Sequence, residues 1–140
     1  MLVLLDSHQA DYYVKDDPVR PHIPSSFRVS DNRKMFALYG DSENPRAIIC
    51  AAFNSEVPKS EDDLLSGGCK VATFYTVWSY DKGAGREIVF SVQNWIKENM
   101  DEVERFVTLS PPTEMARRFH TKNGAIELSH NGKTVNFEYI

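Results

Sequence analysis

A strand-to-helix junction constrains the fold more than any other feature of this sequence. Residues 71–78 form a continuous apolar run that is typical of a buried strand, and a glycine-containing loop follows at residues 82–85. Beyond the loop, apolar residues recur at helical spacing, at Ile88, Val89, Val92, Trp95 and Ile96. The sequence therefore predicts a buried strand that is joined by a short loop to an amphipathic helix.

The loop itself is a candidate anion site. Backbone N–H groups at a helix N-terminus have no partner within the helix, and together with the helix dipole they favour an anion such as a diphosphate. The loop lacks the Lys-Ser/Thr pair of a P-loop, and its letters GAGREI do not complete the three-glycine dinucleotide fingerprint. Nucleotide hydrolysis and hydride transfer are therefore disfavoured. Glycine also occurs in turns that bind no ligand, so the loop alone does not establish an anion site. The neighbouring segments are needed to assign its role.

Hydrophobic periodicity and turn residues predict the order of the other elements. In chain order we expect a helix from Asp6 or Ser7 to Val14, strands at 34–39 and 46–53, a strand at 105–109, a helix at 114–123 and a hairpin of strands at 125–128 and 135–139. The prolines at positions 18, 21 and 24 predict an extended, irregular passage after the first helix. The polar stretch 55–68 is expected to be a solvated loop or short helix. The fold class is therefore α+β with a mostly antiparallel sheet.

Composition narrows the function classes. A chain of 140 residues predicts one domain, residues 1–140. A net charge of −4 provides no general basic surface, so nucleic acid is not an expected partner. The apolar start at residues 1–5 is too short for a signal peptide or a membrane span, which predicts a soluble, cytoplasmic protein.

Cys50 and Cys69 lie in apolar, strand-like contexts and are expected to be reduced, buried thiols, and no metal-ligand spacing appears.

Strand, glycine loop, long helix, strand, short helix and hairpin together resemble the C-terminal half of the GNAT superfamily, the acyl-CoA-dependent N-acyltransferases. The loop pattern of that family is Arg or Gln, two residues, Gly, one residue, then Gly or Ala, and it falls on residues 82–87. Gly85 matches the pattern. Lys82 keeps only the positive charge, and Glu87 brings a carboxylate close to the expected diphosphate. The resemblance implies a GNAT fold, in which two neighbouring parallel strands splay apart as a V in a helix-flanked sheet.

The resemblance also implies a cofactor, acetyl-CoA, and the residues that contact it. The pantetheine arm would run between the splayed strands and the diphosphate would lie at the loop. The residues expected to bind acetyl-CoA are Val77, Trp78, Ser79, Lys82, Gly83, Ala84, Gly85 and Arg86. Arg117 and Arg118 are instead expected to form a solvated face of the short helix.

A later signature of the family, Ala, two residues, an apolar residue, Tyr, and then Gly with an apolar residue, resembles the segment from Ala116 to Ala125. His120 occupies the tyrosine position. In relatives that tyrosine often protonates the departing CoA thiolate, and a histidine with a pKa near neutrality can do the same. His120 is therefore the candidate catalytic acid, and the alternative is a surface histidine at a helix end. The strand 71–78 contains no Asp or Glu, so no general base is identified.

Two functions follow from the resemblance. The first is an acetyl-CoA-dependent N-acetyltransferase that transfers the acyl group directly to a small-molecule or protein amine, with no nucleic-acid or membrane partner. The second is a catalytically degenerate GNAT-like structural or interaction protein, comparable to small internal proteins of phage virions, which would place it in the host cytoplasm or the virion. An acyl-CoA enzyme with another acyl group or acceptor is a third possibility. The oligomeric state is left open, with a dimer as one possibility.

Overall fold

One seven-stranded mixed sheet organises the chain. The computed structural model describes all 140 residues. The elements are, in chain order, β1 (Leu2–Leu4), α1 (Ser7–Tyr13), α2 (Ser25–Arg28), β2 (Arg33–Tyr39), β3 (Pro45–Asn54), β4 (Val71–Ser79), α3 (Ala84–Asn99), β5 (Arg105–Thr108), α4 (Glu114–Lys122), β6 (Ile126–His130) and β7 (Val135–Tyr139). The strand order is β1-β2-β3-β4-β5-β7-β6. Only β4 and β5 pair in parallel, which confirms the expected α+β class.

The strongly periodic elements lie where the sequence predicts them. Asp6 caps α1 through a capping box with Gln9, and Thr113 caps α4 by accepting a hydrogen bond from the Ala116 N–H. Two short elements were not predicted. One is β1, a three-residue edge strand on β2, and the other is α2, a single helical turn that begins after Pro24. Neither is long enough for a hydrophobic period to be recognised in the sequence.

The sheet is covered on both faces, and each face has its own core. Ile88, Val92 and Ile96 of α3 pack on one face. The other face, on the side of α1 and α2, carries a second core that includes Tyr75 and Leu109. Burial on both faces explains why the strand predicted at 71–78 is continuously apolar rather than alternating.

A buried ion pair fixes the proline-containing passage against β4. The Arg28 Nη1 donates to Asp17 Oδ2 at 2.8 Å, and both side chains are fully buried. The other oxygen of Asp17 accepts hydrogen bonds from the N–H groups of Val19 and Arg20 and from the Thr76 hydroxyl. The passage is therefore irregular, as predicted, yet closely packed, and it forms one wall of the site described below.

The two cysteines differ from each other. Cys50 is buried in the second core, as expected. Cys69 lies in the loop that precedes β4 and its thiol donates to Glu102 Oε2 at 3.1 Å, so its expected place in a buried strand is wrong. None of the helices has the length and apolar character needed to cross a membrane.

Candidate functional site

The turn between β4 and α3 has the geometry of an anion-binding loop. Gly83 is the N-cap of α3 and has φ = 83°, a left-handed conformation that glycine adopts without strain. The Ala84 N–H donates to Asp81 O at 3.2 Å, which closes the turn. The loop thus delivers the chain directly into the first turn of a sixteen-residue helix.

Within the first turn of α3, two backbone donors have no partner in the chain. The Glu87 N–H bonds to Gly83 O at 3.2 Å, whereas the N–H groups of Gly85 and Arg86 make no hydrogen bond. Free N–H groups at the positive end of a long helix favour a bound anion.

Strands β4 and β5 separate after four paired residues. Pairing runs from Val71 with Arg105 to Phe74 with Thr108, and the last bond is from Leu109 N–H to Phe74 O at 3.0 Å. Beyond that point the chain after β5 pairs with β7 instead, so the end of β4 has no neighbour on this side. The predicted V-shaped splay between two parallel strands is confirmed.

The register of β4 determines which of its backbone groups face the splay. The Tyr80 N–H donates to Arg46 O, across to β3, at 2.8 Å. Because the direction of backbone groups alternates along an antiparallel strand, Trp78 also faces β3, while Val77 and Ser79 turn their backbone groups toward the splay.

A cleft of about 620 Å³ opens in the splay and reaches both faces of the sheet. Its size lies within the range of about 300–1,000 Å³ that is usual for small-molecule sites. On the α3 side it is lined by residues of α4, among them Phe119 and His120. On the opposite side it is lined by Pro18 and Val19 of the proline-containing passage. All three residues predicted on β4, namely Val77, Trp78 and Ser79, line it.

The predicted loop residues adjoin the cleft rather than line it. Lys82 and Gly83 are exposed, and Ala84 and Gly85 are buried. A Cβ atom at position 85 would lie only 3.2 Å from the ring of Phe119, which shows how closely α3 approaches the cleft wall.

The side chain of Arg86 is occupied elsewhere. Its Nη1 donates to Asn123 Oδ1 at 3.0 Å, and its guanidinium lies 5.0 Å from the centre of the Phe90 ring. Arg86 therefore ties α3 to the end of α4. Arg117 and Arg118 are both exposed, as predicted for a solvated face.

Arg46 neutralises the carboxylates beside the loop. Its Nε lies 3.2 Å from Asp81 Oδ2, and its Nη1 lies 3.1 Å from Glu87 Oε1. The side chain of Glu87 is half-exposed and directed to Arg46. The carboxylate that the sequence places near the anion site is thus paired, and it does not line the cleft.

His120 is buried, with only 5% of its surface exposed. Its Nδ1 lies 2.7 Å from the Tyr139 hydroxyl, and its ring packs beside those of Phe119 and Phe137. It is therefore not a surface histidine. Burial lowers the pKa of His120 from 6.5 to about 4, so the imidazole is neutral at pH 7, in contrast to the near-neutral pKa expected from the sequence.

The tautomer of His120 follows from its partner. Burial raises the pKa of Tyr139, so its hydroxyl keeps its proton, and because this hydroxyl has no other hydrogen-bond partner in the chain, it donates a hydrogen bond to the His120 Nδ1. The proton of the imidazole then resides on Nε2, which makes no hydrogen bond in the chain. Because His120 lines the cleft, this N–H is available there as a hydrogen-bond donor.

A further property of the cleft concerns charge, and the sequence indicated it only for the strand at residues 71–78. No Asp, Glu, Lys or Arg side chain lines it. The absence of a carboxylate on β4 thus extends to the whole lining of the cleft.

Several residues of the site escaped the sequence prediction. Alternation along β7 places Tyr139 on the same face as Phe137, but no local pattern pairs it with a histidine nineteen residues earlier. No sequence pattern indicated Arg46 or Val19, because their roles depend on contacts between segments that meet only in the folded chain.

Comparison with known proteins agrees with this geometry. No protein-family model and no curated protein sequence matches the chain. Several solved structures, in contrast, do match the chain. An acetyltransferase from Bacillus subtilis in complex with CoA superimposes with a TM-score of 0.68 at 7% identity, covering 98% of this chain and 95% of that one. The N-acetyltransferase PseH from Campylobacter jejuni gives 0.67 at 12% identity, with 99% and 96% covered.

The chain has the GNAT fold. A malonyl-CoA decarboxylase from Agrobacterium vitis is also similar, with a TM-score of 0.82 and 16% identity over 99% of this chain. This GNAT-fold chain spans only 60% of the length of that decarboxylase. At these identities the likeness establishes the fold alone.

Proposed function

We propose that this chain is an acetyl-CoA-dependent N-acetyltransferase that transfers the acyl group directly to an amine. The observation that carries the proposal is the cleft through the β4–β5 splay, which connects both faces of the sheet and adjoins the free N–H groups of Gly85 and Arg86. The solved structures that share the fold, one of them a CoA complex, support it.

The residues present fit such a ligand. The N–H groups of Gly85 and Arg86 would bind the diphosphate, and Arg46 keeps Asp81 and Glu87 from repelling it. The backbone groups of β4 that face the splay would bind the amides of the pantetheine arm. Acetyl-CoA supplies an acetyl group that is activated as a thioester.

The chain would promote transfer chiefly by positioning and hydrogen bonding. A backbone N–H of β4 in the splay polarises the carbonyl under attack. As the amine nitrogen bonds to the acyl carbon, the carbon–sulfur bond breaks and its electron pair leaves with sulfur. The Nε2–H of His120 donates a hydrogen bond to that sulfur. The nitrogen loses one proton and the thiolate gains one, so the reaction has no net proton change.

Binding and turnover test the proposal separately. Acetyl-CoA at a hundred times its dissociation constant is expected to stabilise the fold by about 2.7 kcal/mol, measured as a thermal shift. Release of free thiol with a panel of amines then reports transfer. If acetyl-CoA gives neither a shift nor thiol release, the transferase is excluded and the GNAT-like structural or interaction module is favoured.

The role of His120 has its own test. His120→Ala is expected to slow thiol release by roughly tenfold or more, because the departing sulfur loses its donor, while acetyl-CoA binding changes little. His130→Ala, at an exposed histidine of β6, is the matched control. Equal turnover in the two variants would remove His120 from the mechanism.

Decarboxylation of an acyl-CoA is a second candidate, favoured by the similarity to malonyl-CoA decarboxylase and by the absence of a carboxylate in the cleft. In this reaction the bond to the carboxylate breaks, CO₂ leaves, and the electron pair stays on carbon, which takes up one proton. No base is needed, because no amine is deprotonated. Incubation with malonyl-CoA distinguishes the two reactions. The decarboxylase converts it to acetyl-CoA without releasing thiol, whereas the transferase releases thiol from acetyl-CoA, and only when an amine is present.

A further inference from the structure

The side of the cleft opposite α4 is where an acceptor would enter, and it is apolar. The apolar residues that line it there are Pro18, Val19, Tyr75, Trp78 and Leu109, and the hydroxyl of Thr76, which also lines it, is bonded to Asp17. They offer aromatic and aliphatic surface and no charged group. A cationic acceptor would therefore lose its hydration without gaining an ionic partner, which is costly.

The carboxylate closest along the chain to this wall cannot serve as a base. Asp17 is buried, and its oxygens accept four hydrogen bonds, from Val19 N–H, Arg20 N–H, Thr76 hydroxyl and Arg28 guanidinium. Burial alone would raise the pKa of Asp17, but these hydrogen bonds hold it below its ordinary value. Asp17 is thus a structural anchor of the wall with no capacity left for a substrate proton.

The other charged groups on this side are also engaged and do not line the cleft. Asp16 accepts a hydrogen bond from the Tyr80 hydroxyl at 2.7 Å. Glu61 pairs with both Arg20 and His22. The ionisable groups of the lining itself are His120, which is neutral, and Tyr75, whose pKa burial raises well above its ordinary value. The cleft thus contains no group that takes a proton from an ammonium ion at pH 7.

We propose that the acceptor is an aromatic amine, an apolar molecule whose nitrogen is uncharged at neutral pH. This inference rests on the proposed transferase function. Such an amine enters the apolar wall without a charge and needs no base before it attacks. Its nitrogen bonds to the acetyl carbon, the carbon–sulfur bond breaks toward sulfur, the nitrogen, made acidic by acylation, releases its proton to water, and the thiolate takes up a proton from water. The aromatic rings of Tyr75 and Trp78 suit a flat, apolar acceptor.

The pH dependence of thiol release from acetyl-CoA tests this choice of acceptor. Aniline, benzylamine and spermidine are compared from about pH 6 to about pH 9. We expect aniline to be the fastest acceptor near pH 7 with a nearly flat profile, and benzylamine to rise by about tenfold per pH unit as its neutral fraction grows. Faster release with benzylamine or spermidine near pH 7 would overturn the inference.

Two further outcomes are informative. Acetyl-CoA binding with no thiol release from any amine contradicts both the transferase and this acceptor. Thiol release with spermidine alone contradicts only the acceptor class and leaves the transferase standing.

A variant that adds the missing base gives a second test. Val19 lines the acceptor side and is 36% exposed, so a polar side chain is tolerated there. Val19→Glu is expected to raise the ratio of benzylamine to aniline turnover near pH 7 by about tenfold. Val19→Gln, which adds no base, is expected to leave this ratio unaltered. An equal ratio in both variants would show that a base already exists.

A binding measurement is independent of turnover. Calorimetry with acetanilide, the neutral product expected from aniline, should give a measurable affinity that spermidine lacks. Tighter binding of spermidine than of acetanilide would contradict an apolar, uncharged acceptor.

Discussion

The hydrogen-bonded pair of His120 and Tyr139 sets the chemistry at the residue scale. The imidazole stays neutral because burial opposes its charge, and the tyrosine fixes which nitrogen carries the proton. The sequence identified His120 through its place in a signature, but its charge state depends on a cavity that only the fold creates. A neutral N–H donor, rather than an imidazolium, is what the cleft presents.

The buried histidine makes stability depend on pH. In the folded chain His120 takes up a proton only below a pKa of about 4, whereas in the unfolded chain it does so below 6.5. Between these values the unfolded state binds more protons, so stability falls as pH falls through this window, by about 3 kcal/mol in total. Urea unfolding at a series of pH values measures it, and His120→Gln should remove this part of the slope. An unchanged slope would show that the histidine is not buried as described.

The second residue-scale prediction concerns charge beside the anion loop. Arg46→Ala leaves Asp81 and Glu87 unpaired near the N-terminus of α3, so acetyl-CoA should bind roughly two- to fivefold more weakly at low salt. The double variant Arg46→Ala/Glu87→Gln should regain part of the affinity. Glu98→Gln, at an exposed α3 residue away from the loop, is the control for a general change in charge. Calorimetry that finds equal affinity in Arg46→Ala and the native chain would contradict this role.

At the scale of elements, the close approach of α3 to α4 shapes the cleft. Substitutions at two glycines distinguish the effect of this contact from the effect of backbone strain. Gly85→Ala puts a methyl group 3.2 Å from Phe119, while its better helix propensity contributes about 1 kcal/mol. Stability should therefore change little and acetyl-CoA affinity should fall. Gly83→Ala meets no neighbour but strains a left-handed residue, so it should cost about 1–2 kcal/mol. Thermal unfolding and calorimetry on both variants check this, and equal losses of stability would contradict it.

The proline-containing passage depends on one buried pair. Arg28→Met removes the partner of Asp17 and leaves a carboxylate uncompensated in the core, which should destabilise the fold by about 3–5 kcal/mol. Adding Asp17→Leu should recover much of that loss, because no unpaired charge then remains. Chemical denaturation measures both. Additive losses in the double variant would show that the pair is not coupled.

These elements also show what a sequence can and cannot predict. The long helix α3 and the strand β4 were predicted because a helical or apolar pattern persists over enough residues to be read. The edge strand β1 and the turn α2 are three and four residues long, and they are held by contacts with distant partners. The wall of the acceptor side belongs to this second class, since it depends on the bond between Asp17 and Arg28 and on the bond from Thr76 of β4 to Asp17.

At the scale of the whole molecule, the cleft in the splay reaches both faces of the covered sheet. A donor bound from the α3 side and an acceptor bound from the opposite side would meet at the unpaired end of β4, which is the arrangement that direct transfer requires. The anion-binding loop was predicted from the residues around it, and the splay was predicted through the family resemblance. The composition of the cleft was not, because it combines four separated segments.

A crystal structure of the chain with CoA tests this arrangement most directly. We predict that the diphosphate oxygens lie within hydrogen-bond distance of the Gly85 and Arg86 N–H groups, and that the thiol lies in the splay between Val77 and His120. Binding of CoA outside the splay, or a diphosphate away from the start of α3, would contradict the account.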